Sequence, residues 1–493
     1  MNMLRKVTKT LAGLCLLLTV SSCDNWLEVT PKTQIRAGDQ FKTEAGFRDA
    51  LMGAYIGMTA PELYARDMTW NMVDLLSQQY APLPSLAGYA ELQQYRYKAT
   101  RVVPKLDAVW NKTYNIIANI NNALHYLEVN KELLNPISHD IIKGELLGLR
   151  AFLHFDLMRL YGYGDLANRP EVGAKPAIPY VTEFDKEITP QLTYAQTFEL
   201  LAQDIRTALE LLQADPIYPN AGRPPGYYAE INRDGFFDHR EQRMNYYAVK
   251  ALQARMLLWQ GGADRLEAAK LAAEEVINSN AAALISAESY PASSDPILYP
   301  EVLFSLNVYA LADVVNRYLD ADKPTNYDAL FLTSTAANEI YETSNVNVGV
   351  ADIRFNTLLD QQTSGYVPVK LLQNKNTYLN NVPLMKLPEM YYIAAEYYAN
   401  NGQPGTAIQY LNSVRKSRGI LEGIPEAADA EAVKAELFKE YRKEFVSEGQ
   451  LFFYYKRKGL TKLPGLSEET VVGDNIYLIP YPDSEIEFGN RVQ

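Results

Sequence analysis

Cysteine is nearly absent from this chain: there are only Cys15 and Cys23. Both sit at the N-terminus, so the body of the chain has no disulfide, thiol nucleophile or cysteine metal site to draw on. Histidine is also scarce, with four residues (His125, His139, His154 and His239) and no His-x-His or His-Glu-x-x-His zinc spacing. No Gly-x-Ser-x-Gly elbow and no phosphate-cradling glycine loop occurs. Positive charge is outnumbered, 47 Lys and Arg against 59 Asp and Glu, for a net charge of −12. Such an acidic surface argues against nucleic acid and against electrostatic adhesion to anionic lipid. Long hydrophobic runs are missing too. The stretch from Leu11 to Val20 is about ten residues, too short to cross roughly 30 Å of hydrocarbon.

These absences remove most catalytic chemistries, but not all. A glycosidase needs only two carboxylates about 5–10 Å apart, and carboxylates are plentiful. Glu440, Glu444 and Glu448 share one face of an expected helix. With Arg442, Lys443, Lys456 and Arg457 nearby, they read as a solvated ion-pair face. Asp320-x-Asp322 lacks the glycine of a calcium loop and is followed by Pro324, so a turn is expected and no metal or cofactor. His125 and His154 fall in expected helices and read as packed or surface residues, while Trp110 and Trp259, also helical, read as structural.

What is present begins at the N-terminus. Arg5, Lys6 and Lys9, the apolar run and then Val20-Ser21-Ser22-Cys23 have the order of a signal peptide with a cut site. Residues 20–23 resemble a bacterial lipobox, which implies cleavage before Cys23 and acylation of its sulfur. An ordinary secretory signal with an incidental cysteine is the alternative. The expected division is a leader at 1–22 and a mature unit at 23–493, about 470 residues and ample for a large core. The acyl chain, not surface charge, would then attach the protein to lipid.

Tyrosine is the compositional outlier, 35 residues against 16 Phe. Its flat apolar ring and hydroxyl suit both wet binding surfaces and packing seams, and most are expected to pack. Apolar spacing predicts helices over 43–58, 107–128, 193–213, 244–260, 264–279 and 430–457, with a stripe of Leu146, Leu149, Leu153, Leu157 and Leu160 marking another. Residues 244–279 and 385–418 each read as two helices joined by a short turn, with small residues at the facing positions, like tetratricopeptide hairpins. The fold class is therefore mostly α, a helical-repeat scaffold over about 107–213, 244–280 and 385–457. Stretches 61–105, 214–243 and 281–384 are rich in Pro, Asn, Gly, Asp and Tyr without periodicity. Long irregular stretches of this kind carry functional surfaces.

Several blocks resemble one family. Gly144-Glu145-Leu146, Leu149-Arg150-Ala151-Phe152, Phe155-Asp156-Leu157 and Arg159-Leu160-Tyr161-Gly162 look like the hallmark helix of the SusD/RagB nutrient-uptake lipoproteins. Trp110, Tyr114, Ile117, Asn119 and Asn122 resemble the preceding helix, and Glu301-Val302-Leu303-Phe304 a short mid-chain strand. Leu387-Pro388-Glu389, Ala395-Glu396, Asn412-Ser413-Val414-Arg415 and Arg418-Gly419 resemble the late helical pair. Glu440, Arg442, Glu444, Glu448-Gly449, Lys456 and Arg457 resemble the last long helix, and Ile479-Pro480-Tyr481-Pro482 the C-terminal signature. Leu451 and Tyr454 depart from the family's usual Arg and Asp, which implies apolar packing there in place of an ion pair.

The resemblance implies a SusD-like fold with a few short strands, anchored at the cell surface and docked on a SusC-like, TonB-dependent outer-membrane transporter. It also implies non-catalytic binding of an oligosaccharide, or of a peptide as in some relatives. Ligand contacts are expected regionally, within 61–105 and 281–384. The candidates are Trp70, Tyr80, Tyr89, Tyr95, Tyr97, Tyr299, Tyr309, Asn316 and Tyr318. Two other functions fit the sequence: a surface-anchored glycan hydrolase, and a helical scaffold with no small ligand of its own.

Overall fold

The computed structural model describes residues 37–219 and 226–493. The expected leader and Cys23 lie outside the described residues. Helix α1 (Glu44–Met58) starts where the Thr43 hydroxyl accepts the Gly46 amide proton, satisfying one of the donors that a first turn leaves unpaired. Helices α2 (Val103–Val129) and α3 (Pro136–Tyr161) each carry a proline in the first turn, where its missing N–H costs nothing. Thr193 and Gln196 form a capping box on α4 (Tyr194–Leu211). The two expected hairpins are present: α5 (Tyr246–Gln260) with α6 (Ala263–Asn278), and α7 (Leu387–Asn400) with α8 (Pro404–Ser417).

Each long helix packs on the one before it, from α1 through α8, so the chain builds a continuous helical array. Alanines make the close seams. Ala248, Ala251, Ala254, Ala269, Ala272 and Ala273 are all buried between α5 and its neighbours. At the centre, α3 is buried on every side from Gly144 to Tyr161. Gly148 is required there, because a Cβ would lie 2.7 Å from the Met244 side chain and 2.8 Å from Val249.

Strand content is small. β1 (Val302–Asn307) pairs antiparallel with β4 (Asn381–Lys386), with Asn307 opposite Asn381 and Val302 opposite Lys386. β2 (Leu359–Gln361) and β3 (Tyr366–Pro368) form a separate two-stranded hairpin. β4 runs directly into α7 and ties the irregular 281–384 stretch to the helical array.

The last expected helix, 430–457, is two helices: α9 (Ala430–Glu444) and α10 (Leu451–Lys458). Ser447 and Gly449 adopt positive φ between them, at +63° and +67°. A Cβ on Gly449 would come 2.3 Å from the Thr69 carbonyl oxygen, and the Asp74 carboxylate accepts the Ser447 amide proton at 2.8 Å. The 61–105 stretch therefore fixes the break. Leu451 and Tyr454 pack as apolar residues, Tyr454 lying nearly parallel to Phe438 at 5.8 Å.

The carboxylates of this region overturn another expectation. Glu440 and Glu444 are not on a solvated face; both are fully buried, as are Lys443 and Lys456. Arg418 bridges Glu301 (2.6 Å) and Glu444 (2.8 Å), and Arg354 joins Asp352, Glu440 and Glu444. Lys386 and Lys370 complete the cluster toward Glu448. Burial alone would raise the Glu440 carboxyl, but Arg354, Lys443 and Arg415 around it hold it at about 2. The cluster joins β1, β4, α8 and α9 and works as an internal ionic seam.

Candidate functional site

Most of the aromatics expected to meet a ligand prove to be architecture. Trp70, Tyr80, Tyr89, Tyr97 and Tyr318 are buried and Tyr95 is half-buried. The Trp70 indole donates to the Ala65 carbonyl (2.8 Å) and its ring meets Tyr318 edge-on. Tyr95 donates to the Leu76 carbonyl and Tyr97 to that of Ile476, at 2.9 and 2.6 Å. Tyr80 shares a hydrogen bond with Ser447, and Tyr89 donates to Asp67. An irregular backbone leaves carbonyls that no helix or strand satisfies, and a tyrosine can fill the apolar gap and pair one of them at once. Rings buried in this way offer no free face for a ligand. The 61–105 stretch is thus mainly an inner layer.

Three of the candidates face outward or border an outward face. Tyr309 is 92% exposed, immediately after β1, and Asn316 is exposed one short helix (Leu311–Val315) further on. Tyr299 is half-buried and carries on its face a ring the sequence reading missed, Tyr378, parallel to within 5° at 3.9 Å. The Tyr299 hydroxyl donates to Glu241 (2.8 Å) and accepts from Gln242 (2.7 Å), so the inner ring of this pair is held from behind. The outer ring, Tyr378, is 37% exposed beside the exposed Leu379. Asn380 accepts the Val308 amide proton at 2.7 Å, which brings the Tyr378–Leu379 turn to the base of Tyr309. The missed signal was the run Asn374-Lys375-Asn376-Thr377-Tyr378-Leu379-Asn380-Asn381, turn-forming residues around a single aromatic and a leucine that follow neither helical nor strand period.

A second exposed ledge adjoins the same segment. Ala81 donates to the Phe331 carbonyl and Gly88 to the Asp328 carboxylate, joining loop 81–89 to loop 317–331. Leu86 and Tyr327 are exposed on these loops. Asn326 ties its own loop by donating to the carbonyls of Arg317 and Asp320. Asp322 accepts the amide protons of Thr363 and Ser364, and the hydrogen-bonded turn lies just after the Asp320-x-Asp322 stretch, where Asn326 donates to the Lys323 carbonyl. Flat rings, amides and a guanidinium on tied loops suit recognition of a ligand with both apolar faces and hydroxyls.

Most titratable groups with displaced pKa values belong to the scaffold; on the loop face, burial pushes the Tyr299 hydroxyl up. Burial pushes the Asp74 carboxyl up to about 7 at the α9–α10 break. His154 is held down at about 3 by burial. One of its ring nitrogens bonds the Arg150 carbonyl and the other accepts the Val181 amide proton. Among the described residues no group of three or more His, Cys, Asp or Glu is placed to hold a metal ion. No helix among them is long and apolar enough to cross a membrane.

Most of the charged and aromatic residues that carried the family resemblance are internal, while Asn119 and Ser413 are exposed. Glu145 meets Arg240 and Arg243, Arg150 forks onto Asp204, and Arg159 meets Asp156. Arg255 meets Glu389, and Arg457 meets Glu396. Tyr481 of the C-terminal signature packs on Trp110 at 5.0 Å, and Trp259 is buried against Phe155 and Phe453.

Comparison with known proteins agrees with this architecture. A family profile described as "Starch-binding associating with outer membrane" matches residues 25–223, and one described as "SusD family" matches residues 313–469. The SusD-like protein P38 of Formosa agariphila is 21% identical over 506 residues, covering 91% of this chain and 90% of that protein. A SusD superfamily protein of Bacteroides thetaiotaomicron superposes with a TM-score of 0.71 at 21% identity, over 92% of this chain and 99% of that one. A SusD-like carbohydrate binding protein of Bacteroides vulgatus superposes with a TM-score of 0.69 at 17% identity, over 91% and 96%. The chain belongs to the SusD/RagB family, and the mostly helical fold that its sequence motifs imply is the fold observed.

Proposed function

We propose that this protein is a non-catalytic capture protein of the cell surface, tethered through acylated Cys23. It takes up a nutrient oligomer, a glycan, and hands it to a SusC-like TonB-dependent transporter. The observation that carries the reading is the solvent-facing Tyr378 ring laid flat on Tyr299, beside Tyr309. A pyranose presents an apolar face of C–H bonds, and a flat ring of known orientation is its natural counterpart. Holding Tyr299 by Glu241 and Gln242 means that little side-chain freedom remains to be lost on binding. Exposed Asn316 and neighbouring amides are available for the hydroxyls. The Bacteroides vulgatus relative described as carbohydrate binding supports the ligand class. In this reading the helical array is the scaffold and the docking side.

Calorimetry of the chain from Asp24 onward against a panel of glycans and peptides tests this. Saturable binding of a glycan oligomer in the micromolar range, with no new reducing ends on incubation, is expected. New reducing ends would make the protein a hydrolase, and binding of peptides alone would change the ligand class.

A further inference from the structure

On the helical side, a groove of about 640 Å³ lies between α4, the C-terminal end of α5 and the 166–173 segment, and it shares no residue with the loop face. Gly261 makes it possible. Its φ is +67°, and a Cβ there would stand 2.6 Å from that of Ala167, so only glycine lets the 166–173 segment close against the helix turn. The floor is apolar: Phe198 and Met256 are buried, with Leu257, Leu166 and Ala202 around them. Tyr194 is committed, its hydroxyl accepting the Tyr163 amide proton.

The charge of the groove is the reverse of the chain's. In a protein of net charge −12, this groove is lined by Arg169, Arg206 and Arg265 against a single carboxylate, Glu199. Arg169 is occupied by Asp474 at 2.8 Å. Arg206 and Arg265 are exposed and have no ion-pair or hydrogen-bond partner among the described residues. Two unpaired guanidinium forks over an apolar floor are matched by carboxylates next to an apolar side chain. A sugar fits less well, since no free aromatic face lies in the groove and Gln260 is its one neutral amide side chain.

We propose that this groove binds an acidic peptide segment of a partner protein, its apolar side chain on the partly exposed Leu166, Ala202 and Leu257 and its carboxylates on Arg206 and Arg265. The test is fluorescence anisotropy with a fluorescein-labelled peptide of alternating Asp or Glu with Leu or Phe, read at low and high salt. Saturable binding that weakens with salt is expected, and it should fall about tenfold or more in the Arg206→Glu/Arg265→Glu double variant. Both positions are exposed and unpartnered, so the fold should be unaffected, which the melting temperature checks. Ala195→Glu, an exposed change on the same wall, should weaken binding independently. The same peptide with Lys for its acids, or with Ser for its apolar residues, should not bind. The proposal is overturned if the acidic peptide does not bind or binds both variants as well as the wild type. It is equally overturned if an oligogalacturonate occupies the groove where the peptide does not.

Discussion

In the seam between β1, β4, α8 and α9, charge lies inside: Arg418, Arg354, Glu301, Glu440 and Glu444 are all but inaccessible to water. On the face formed by loops 81–89, 308–331 and 373–380, the arrangement is reversed, with Tyr309, Tyr378, Asn316 and Arg317 outside on loops tied by main-chain bonds. Part of what identifies the family, Glu301, Arg418, Glu440 and Glu444, sits in the first region, and the residues suited to meet a ligand sit in the second. Buried ion pairs demand defined partners at defined positions, because either charge left alone is costly. An exposed ring needs only a tied loop beneath it, so its position in sequence follows no motif. Family membership can therefore be legible while the ligand is not.

The sharpest way to break the comparison is to remove a charge from the seam. Arg418→Met leaves Glu301 and Glu444 without their shared partner and should cost about 3–5 kcal/mol, read as a lower denaturant midpoint. Loss of ligand affinity without loss of stability in this variant would contradict a purely architectural role.

Acid should open buried ion pairs next, that of Glu440 in the seam and that of Glu396 with Arg457 outside it. Glu440 and Glu396 titrate at about 2, below the ordinary 4.5, because arginine and lysine neighbours outweigh burial. A depressed carboxyl contributes stability that is present above 4.5 and is lost as pH falls toward 2, on the order of 2–3 kcal/mol per group. Asp74 has the opposite sign. Its pKa is raised to about 7 by burial, so its contribution is present at low pH and lost as pH rises from 3.8 through 7. Denaturation series across pH 4–8 should show this loss in the wild type and its absence in Asp74→Asn.

On the loop face the effects belong to binding. Tyr378→Ala should weaken ligand affinity by about 1–2 kcal/mol, roughly tenfold, with stability nearly unchanged. The smallest effect is expected at Leu86, where Ala should alter stability by about 0.5 kcal/mol or less and affinity only slightly.

Much of the fold could be read from the sequence. The helical hairpins and their turns appear where apolar periodicity placed them, because those rules are local. The break at Ser447–Gly449 was hidden because a distant segment, Thr69 and Asp74, fixes it. The seam was misread as a solvated face because i, i+4 charge spacing looks the same whether arginines from other elements cover it or water does. The site was the least legible part. Tyrosine in an irregular stretch signals either an exposed platform or a ring that satisfies stray carbonyls, and composition cannot distinguish Tyr378 from Tyr97.

The most direct measurement is calorimetry of the best-bound glycan with the wild type and with a Tyr309→Ala/Tyr378→Ala double variant, each checked for melting temperature. The account predicts that the double variant melts as the wild type does and loses most of its affinity. Undiminished glycan binding by that folded variant would contradict it.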